Sequence, residues 1–140
     1  MPQYILKDKE AITFQSLDLF TQGYIEAMFF TESGDELDGK EIGDAGFYDL
    51  AQETLQTIIE DCKEFQVKTY DLLEPIYLSD KDYSPLQAGH DFWFTRNGHG
   101  AGFWDRGLED IGDKLSEACG FGTEFPNIDV YLGDDGKIYA

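Results

Sequence analysis

The sequence predicts an α+β fold for a single domain over residues 1–140, in which a small antiparallel sheet of two hairpins packs against three helices. Three segments carry apolar residues at helical spacing, and two segments alternate apolar and other residues on either side of a glycine-containing turn. The composition favours a well-formed core, since 41% of the residues are hydrophobic and 11 Phe, 8 Tyr and 2 Trp supply large apolar surfaces. A chain of 140 residues can bury roughly two-thirds of the surface that it exposes when unfolded.

The first two predicted helices lie in the N-terminal half. Ser16 is a suitable N-cap for a helix to about Thr31, and the Gly- and Asp-rich residues 32–46 then indicate a surface loop. The longest helical pattern runs from Phe47 to about Leu73 and is expected to end there, because the following Pro75 disfavours helix in the residue before it. The apolar stripe of this helix consists of Phe47, Ala51, Leu55, Ile58, Cys62, Phe65, Leu72 and Leu73.

The segment GHDFWFTRNGHGAGFWDRG, residues 89–107, predicts the first hairpin. Its aromatic residues alternate along the chain on both sides of Asn97-Gly98, a pair favoured in two-residue turns with positive φ. In the resulting register Arg96 would face His99 across the turn. Residues 75–89, which precede the hairpin and contain two prolines, are expected to form a connecting loop.

The chain is expected to close with a third helix and the second hairpin. Residues 108–119 place Leu108, Ile111 and Leu115 on one helical face, with Gly120 as the C-terminal stop. In IDVYLGDDGKIYA, alternating apolar residues flank a turn over residues 133–136.

Charge is the strongest global signal, because 29 acidic and 10 basic residues give a formal net charge of -19. A chain this acidic repels nucleic acid and anionic membranes and attracts basic protein surfaces. The N-terminus lacks a secretion pattern, and no run of about 18 apolar residues occurs. We therefore expect a cytoplasmic protein that binds neither nucleic acid nor membrane directly, with Cys62 and Cys119 reduced and buried on apolar helix faces.

Acidic residues of the longest predicted helix gather on the side opposite its apolar stripe. At 100° per residue they occupy a sector of roughly 80°, with axial gaps of about 5 to 10 Å, which is comparable to the phosphate spacing of one DNA strand. These residues, called the acidic ridge below, are Asp49, Glu53, Glu60, Glu64, Asp71 and Glu74. The ridge is the candidate partner-binding surface, acting as a DNA mimic. The alternative is an ordinary solvated face, partly neutralised by Lys68 beside Glu64 and Lys63 beside Glu60.

Every His and Arg of the chain lies within residues 90–106, a stretch without net charge. If the protein is an enzyme, general acid/base chemistry would fall to His90, Asp91, Arg96, His99, Asp105 and Arg106. No Ser or Cys occupies a nucleophile-type turn, and the two histidines lack the spacing of a metal-binding pair, so neither a metal nor a cofactor is expected. The hypothesis adopted for this stretch is structural: its aromatics anchor it in the core and its arginines pair with carboxylates.

The run AGHDFWFTRNGHGAGFWDRG and the ending VYLGDDGKIY resemble a small family of uncharacterised acidic proteins encoded by bacteriophages and mobile elements. The resemblance covers residues 88–107 and 130–139 and brings no assigned activity or catalytic residues. It implies a phage or mobile-element context, in which small acidic proteins often work by occupying the DNA-binding site of a host protein.

Together these observations predict a non-enzymatic phage-type protein of the host cytoplasm. Its expected partner is a basic host or phage protein, bound through nucleic-acid mimicry or as an inhibitor of host defence. Two alternatives stay open. One is a small enzyme that uses the cluster at residues 90–106, and the other is a phage structural or assembly protein that forms homo-oligomers.

Overall fold

A computed structural model describes residues 14–32, 36–37, 40–41, 47–79, 83–98, 102–120 and 122–140. The α-helices in these ranges are α1 (Leu19–Glu32), α2 (Gln52–Lys68), α3 (Tyr70–Ser79), α4 (Pro85–Arg96) and α5 (Glu109–Glu117). The strands are two residues long and pair as two separate antiparallel ribbons, β1 (Glu36–Leu37) with β2 (Lys40–Glu41) and β3 (Tyr131–Leu132) with β4 (Ile138–Tyr139). The described chain is thus mostly helical, and the predicted α+β fold with a sheet of two hairpins is wrong.

The largest error concerns the first predicted hairpin and the loop before it, because residues 85–96 form α4. Ser84 caps this helix by accepting a hydrogen bond from the amide of Gln87 at 3.2 Å, and Pro85 occupies its first turn. Asn97 and Gly98 do not connect two strands. They end the helix, with Gly98 in the left-handed region at φ 71°.

The long predicted helix from Phe47 to Leu73 is divided in two. A 3-10 turn covers Phe47–Asp49, and α2 then ends at Thr69, whose hydroxyl donates a 2.7 Å hydrogen bond to the Phe65 carbonyl. The Thr69 carbonyl in turn accepts the amides of Leu72 and Leu73, which starts α3. Pro75 lies exposed within α3 instead of ending the helix, so the carbonyl that loses its amide partner is on a solvent-facing side of the helix.

Helices α1 and α4 pack closely against each other along two glycines. Asp18, and not the predicted Ser16, caps α1 by accepting the Thr21 amide at 2.8 Å. A Cβ on Gly23 would lie 2.1 Å from the carbonyl oxygen of Leu86, and a Cβ on Gly89 would lie 1.9 Å from that of Phe20. The two backbones therefore touch where glycine leaves space, and this contact holds α4 against the N-terminal helix.

The core is built from aromatic rings that stack across these helices. Phe65 of α2 and Phe92 of α4 stack at 4.2 Å between ring centroids, and Phe103 stacks on Phe65 at 5.7 Å. Trp93 meets Tyr24 of α1 edge to face at 5.3 Å. The prediction that aromatics of residues 89–107 anchor this stretch in the core is confirmed for Phe92, Trp93 and Phe103.

The C-terminal part of the chain and the two cysteines agree with the predictions. Helix α5 lies within the predicted 108–119, and the turn over residues 133–136 joins β3 to β4, with Tyr131 and Tyr139 stacked across the ribbon. Ile138 is buried, and its carbonyl accepts the Ala51 amide at 2.9 Å, which ties the C-terminus to the start of α2. Cys62 and Cys119 are free and buried, as predicted. No helix in the described ranges has the length and apolar character needed to cross a membrane.

Candidate functional site

Asp91 of α4 is buried and forms an ion pair with Arg106. The guanidinium reaches Oδ1 at 2.8 Å through Nη2 and at 2.9 Å through Nε, while the Tyr83 hydroxyl donates to Oδ2 at 2.7 Å. The Asp91 side chain has no exposed surface, and Gln87 adds a longer contact of 3.4 Å. Burial, together with the adjacent Asp91 carboxylate, raises the pKa of the Tyr83 hydroxyl. A carboxylate enclosed in this way holds the fold together and offers no surface to a substrate.

Arg96, at the end of α4, is also buried. Its Nη1 donates to Oδ2 of Asp61 at 3.0 Å and to the Tyr24 hydroxyl at 3.2 Å, and its Nε donates to the Pro126 carbonyl at 2.9 Å. The guanidinium also lies 5.3 Å from the centroid of the Phe92 ring. Burial acts to lower the pKa of Arg96, but Tyr24 and Asp61 outweigh it and hold the group charged. Arg96 thus links α2, α4 and the C-terminal segment.

Both arginines pair with carboxylates, as the structural hypothesis for residues 90–106 expects, and the pairing removes most of the cluster from any shared catalytic site. The predicted contact of Arg96 with His99 across a hairpin turn depended on a strand that is a helix. His99 and the side chain of Asp105 lie outside the described residues. Among the candidate catalytic residues whose side chains the structure describes, His90 lies in an open cleft.

This cleft, called the α1–α4 cleft below, has a volume of about 390 Å³ and is lined by Glu26, Ala27, Phe30, His90 and Phe94. Nε2 of His90 lies 3.0 Å from Oε1 of Glu26, and the two side chains remain 27% and 48% exposed. Phe30 is 77% exposed, which is unusual for a large aromatic side chain in a folded protein. The cleft therefore combines a carboxylate, an imidazole and two aromatic rings at the surface.

The acidic ridge is distributed over three elements and is not one helical face. Glu53, Glu60 and Glu64 are exposed on α2, which preserves axial gaps of about 10 and 6 Å at 1.5 Å per residue. Asp49 belongs to the preceding 3-10 turn, whereas Asp71 and Glu74 follow the break at Thr69 and belong to α3. Glu74 is half-buried and accepts a hydrogen bond from the Tyr70 hydroxyl.

An open groove of about 540 Å³ lies beside the exposed glutamates of α2 and is lined by Glu60, Lys63, Glu64, Val67, Lys68 and Glu124. Lys68 pairs with Glu124 instead of the predicted Glu64. Within the described part of the chain, neither Glu53 nor Glu64 has a basic group within ion-pair distance. The solvated-face interpretation expected Lys68 to neutralise part of the charge at Glu64, and that one pairing is wrong.

Sequence reasoning overlooked Glu26, Phe30, Tyr83 and Asp61. Phe30 could have been noticed, because it lies outside the apolar stripe of its helix formed by Phe20, Tyr24, Ala27 and Met28. The motif SPLQ at residues 84–87 has the capping-box pattern, with proline at the first helical position, and it would have placed His90 on a helix. Nothing local signals that Glu26 meets His90, since 64 residues separate them.

Among the described residues, no group of three or more His, Cys, Asp and Glu side chains is arranged to hold a metal ion. Comparisons with protein-family models, curated proteins and solved structures give no match to this chain.

Proposed function

We propose that this protein binds a basic protein through the exposed glutamates of α2 and competes there with nucleic acid for the same cationic surface. A phage-type protein of this kind would act in the host cytoplasm, on a DNA-binding host or phage protein. The observation that carries the proposal is the excess of exposed carboxylates over exposed lysines among the described residues.

Exposed carboxylates far outnumber exposed lysines among the described residues, and both arginines are paired with carboxylates. Arg96 and Arg106 form ion pairs with Asp61 and Asp91, so they cancel little of the surface charge. In the described ranges, the exposed carboxylates are those of Asp18, Glu26, Glu53, Glu60, Glu64, Asp71, Asp110, Asp113, Glu117, Glu124, Asp129, Asp134 and Asp135. The exposed lysines there are Lys63, Lys68, Lys114 and Lys137. Such a surface attracts a basic partner over roughly 8–10 Å at moderate ionic strength.

Within this surface, the glutamates of α2 are the carboxylates best arranged to enter a cationic groove of the partner. Their spacing follows a rigid helix, and Glu53 and Glu64 carry charge that no described basic group neutralises. A row of fixed carboxylates can occupy the phosphate positions of a cationic groove without paying to order a flexible segment.

The test is affinity capture from a bacterial lysate with the immobilised full chain, eluted in steps of rising salt. Retention of a DNA-binding protein should fall steeply between low and moderate salt, because the attraction is electrostatic. The triple variant Glu53→Gln, Glu60→Gln and Glu64→Gln should lose most of this capture. The matched control is Asp110→Asn, Asp113→Asn and Glu117→Gln on α5, which removes the same charge from another exposed face.

Equal loss in the two triple variants would show that net charge alone governs capture and would overturn the assignment to α2. Recovery that ignores salt would overturn the electrostatic basis of the proposal. A stable homo-oligomer of fixed size, with no basic protein retained, would favour the structural or assembly role instead.

A second candidate function, a small hydrolytic or proton-transfer enzyme, is favoured by one observation: His90 lies in an open cleft within hydrogen-bonding distance of Glu26. A carboxylate that orients an imidazole is a common arrangement in general acid/base catalysis. If this function is correct, an activity found by screening ester, phosphoester and glycoside substrates will disappear in His90→Gln and persist in Lys114→Gln. Activity that survives His90→Gln would exclude the cleft as its source.

A further inference from the structure

We infer that the α1–α4 cleft takes an arginine side chain of the basic partner, held by the Glu26 carboxylate between the rings of Phe30 and Phe94. The inference rests on the proposed function for the partner's basic character, and it adds a second, specific contact to the diffuse attraction of the acidic surface.

The carboxylate supplies the first requirement of a guanidinium site. Glu26 accepts one contact from His90 through Oε1, yet its side chain remains 48% exposed at the cleft, so the carboxylate can also accept N–H groups from outside. Arginine presents several donors in a planar fork that suits a carboxylate, whereas a lysine ammonium offers only a point charge.

Aromatic rings supply the second requirement. Phe30 is 77% exposed although it is a large apolar side chain, and Phe94 lies partly buried on the other helix that lines the cleft. A cation over the face of an aromatic ring gains electrostatic attraction, and a planar guanidinium also stacks on it. An apolar ligand would use the rings but would desolvate the Glu26 carboxylate without adding a hydrogen bond to the one from His90, which is costly.

Size and placement agree with a single side chain as the occupant. The cleft volume of about 390 Å³ suits one inserted residue and is small for a whole helix. The backbones of the two helices that form the cleft touch at Gly23 and Gly89, so the helices that carry these groups are held together before binding. A preformed pocket for arginine is a common form of interface hot spot.

The direct test uses N-acetyl-arginine amide as the ligand and N-acetyl-citrulline amide as its neutral isostere. The chain contains two histidines, so a His99→Gln background leaves one imidazole signal, that of His90, for proton NMR at about pH 8. Arginine amide should shift this signal saturably, and citrulline amide should leave it in place. Equal shifts from both ligands, or no shift from arginine, would overturn the inference.

Variants assign the effect to the cleft. Phe30→Ala and Glu26→Gln should abolish the saturable shift, and both replace exposed side chains, so folding is retained. The matched controls are Leu78→Ala, whose side chain is 79% exposed on α3, and Glu117→Gln on α5. A shift that persists in Phe30→Ala and Glu26→Gln would place the arginine elsewhere and refute the inference.

The same variants separate this inference from the proposed function. With the basic protein recovered by affinity capture, Phe30→Ala should weaken binding by about thirtyfold, the effect of a hot-spot residue. If arginine amide binds the cleft and no basic protein is captured, the proposed function fails and the arginine site stands. If a basic protein is captured through α2 and Phe30→Ala binds it as well as wild type does, the inference fails alone.

Discussion

Replacing Arg106 with alanine should reveal the cost of burying the Asp91 carboxylate. In the folded protein this fully enclosed group receives guanidinium contacts at 2.8, 2.9 and 3.2 Å, and without them Tyr83 at 2.7 Å and Gln87 at 3.4 Å remain. Breaking a buried ion pair by removing one partner costs about 3–5 kcal/mol. The lower end, about 3 kcal/mol, applies here because Tyr83 still donates and the Arg106 side chain is 29% exposed, so water can enter its place.

Urea unfolding followed by tryptophan fluorescence measures this loss, because the buried Trp93 becomes exposed to solvent on unfolding. With a denaturant slope of about 1–3 kcal/mol/M, a loss of 3 kcal/mol lowers the midpoint by about 1–3 M. Lys68→Ala, which breaks the exposed pair with Glu124, is the control and should cost less than about 1 kcal/mol.

A double variant, Asp91→Asn with Arg106→Ala, should recover part of the lost stability, because no unpaired charge then remains buried. The reasoning would be refuted if Arg106→Ala cost no more than Lys68→Ala, or if the double variant were less stable than the single one.

Three further variants or conditions test other parts of the fold. Gly89→Ala should destabilise the protein by about 1–3 kcal/mol or more in urea unfolding, since its Cβ would lie 1.9 Å from the Phe20 carbonyl oxygen; an unchanged midpoint would contradict the close packing of α1 and α4. Ser84→Ala should cost about 1 kcal/mol through the lost N-cap of α4, and no cost would be expected if residues 91–96 were a strand after all. Burial raises the pKa of the Cys119 thiol to about 12, whereas the pKa of a cysteine in the unfolded chain is about 8.5. As the pH rises above about 8.5, the unfolded chain loses thiol protons that the folded chain keeps, so the free energy of unfolding should fall between about pH 8.5 and 10. It should fall by less in Cys119→Ala. A free energy of unfolding that rose over this interval would contradict the burial of the Cys119 thiol.

Local signals at residues 84–98 were sufficient to predict α4, but they compete with signals for a hairpin. Asn-Gly is favoured both in two-residue turns and at helix C-termini, because Gly98 provides a positive φ in either case. The spacing of Ala88, Phe92 and Arg96 is helical, yet the neighbouring aromatics also satisfy strand alternation. Arginine is rare on the buried face of a helix, and Arg96 is accommodated there because Asp61 and Tyr24 accept its hydrogen bonds.

Other features depend on contacts that no local pattern encodes. The division of α2 from α3 rests on the hydrogen bonds of Thr69 to both helices, and a helical period cannot reveal such a break. The α1–α4 cleft requires Glu26 and His90 to meet across 64 residues of sequence, and this meeting depends on the packing of α1 against α4, with Gly23 and Gly89 at the contact. By contrast, the burial of Cys62 and Cys119 followed directly from helical spacing.

The most direct test of the central claim is displacement of a labelled DNA duplex from the captured basic protein, measured by fluorescence anisotropy at moderate salt. The account predicts that wild type displaces the duplex, that the Glu53, Glu60 and Glu64 triple variant fails to do so, and that the α5 triple variant still does. Displacement by all three proteins, or a ternary complex in which DNA stays bound beside the wild-type protein, would contradict it.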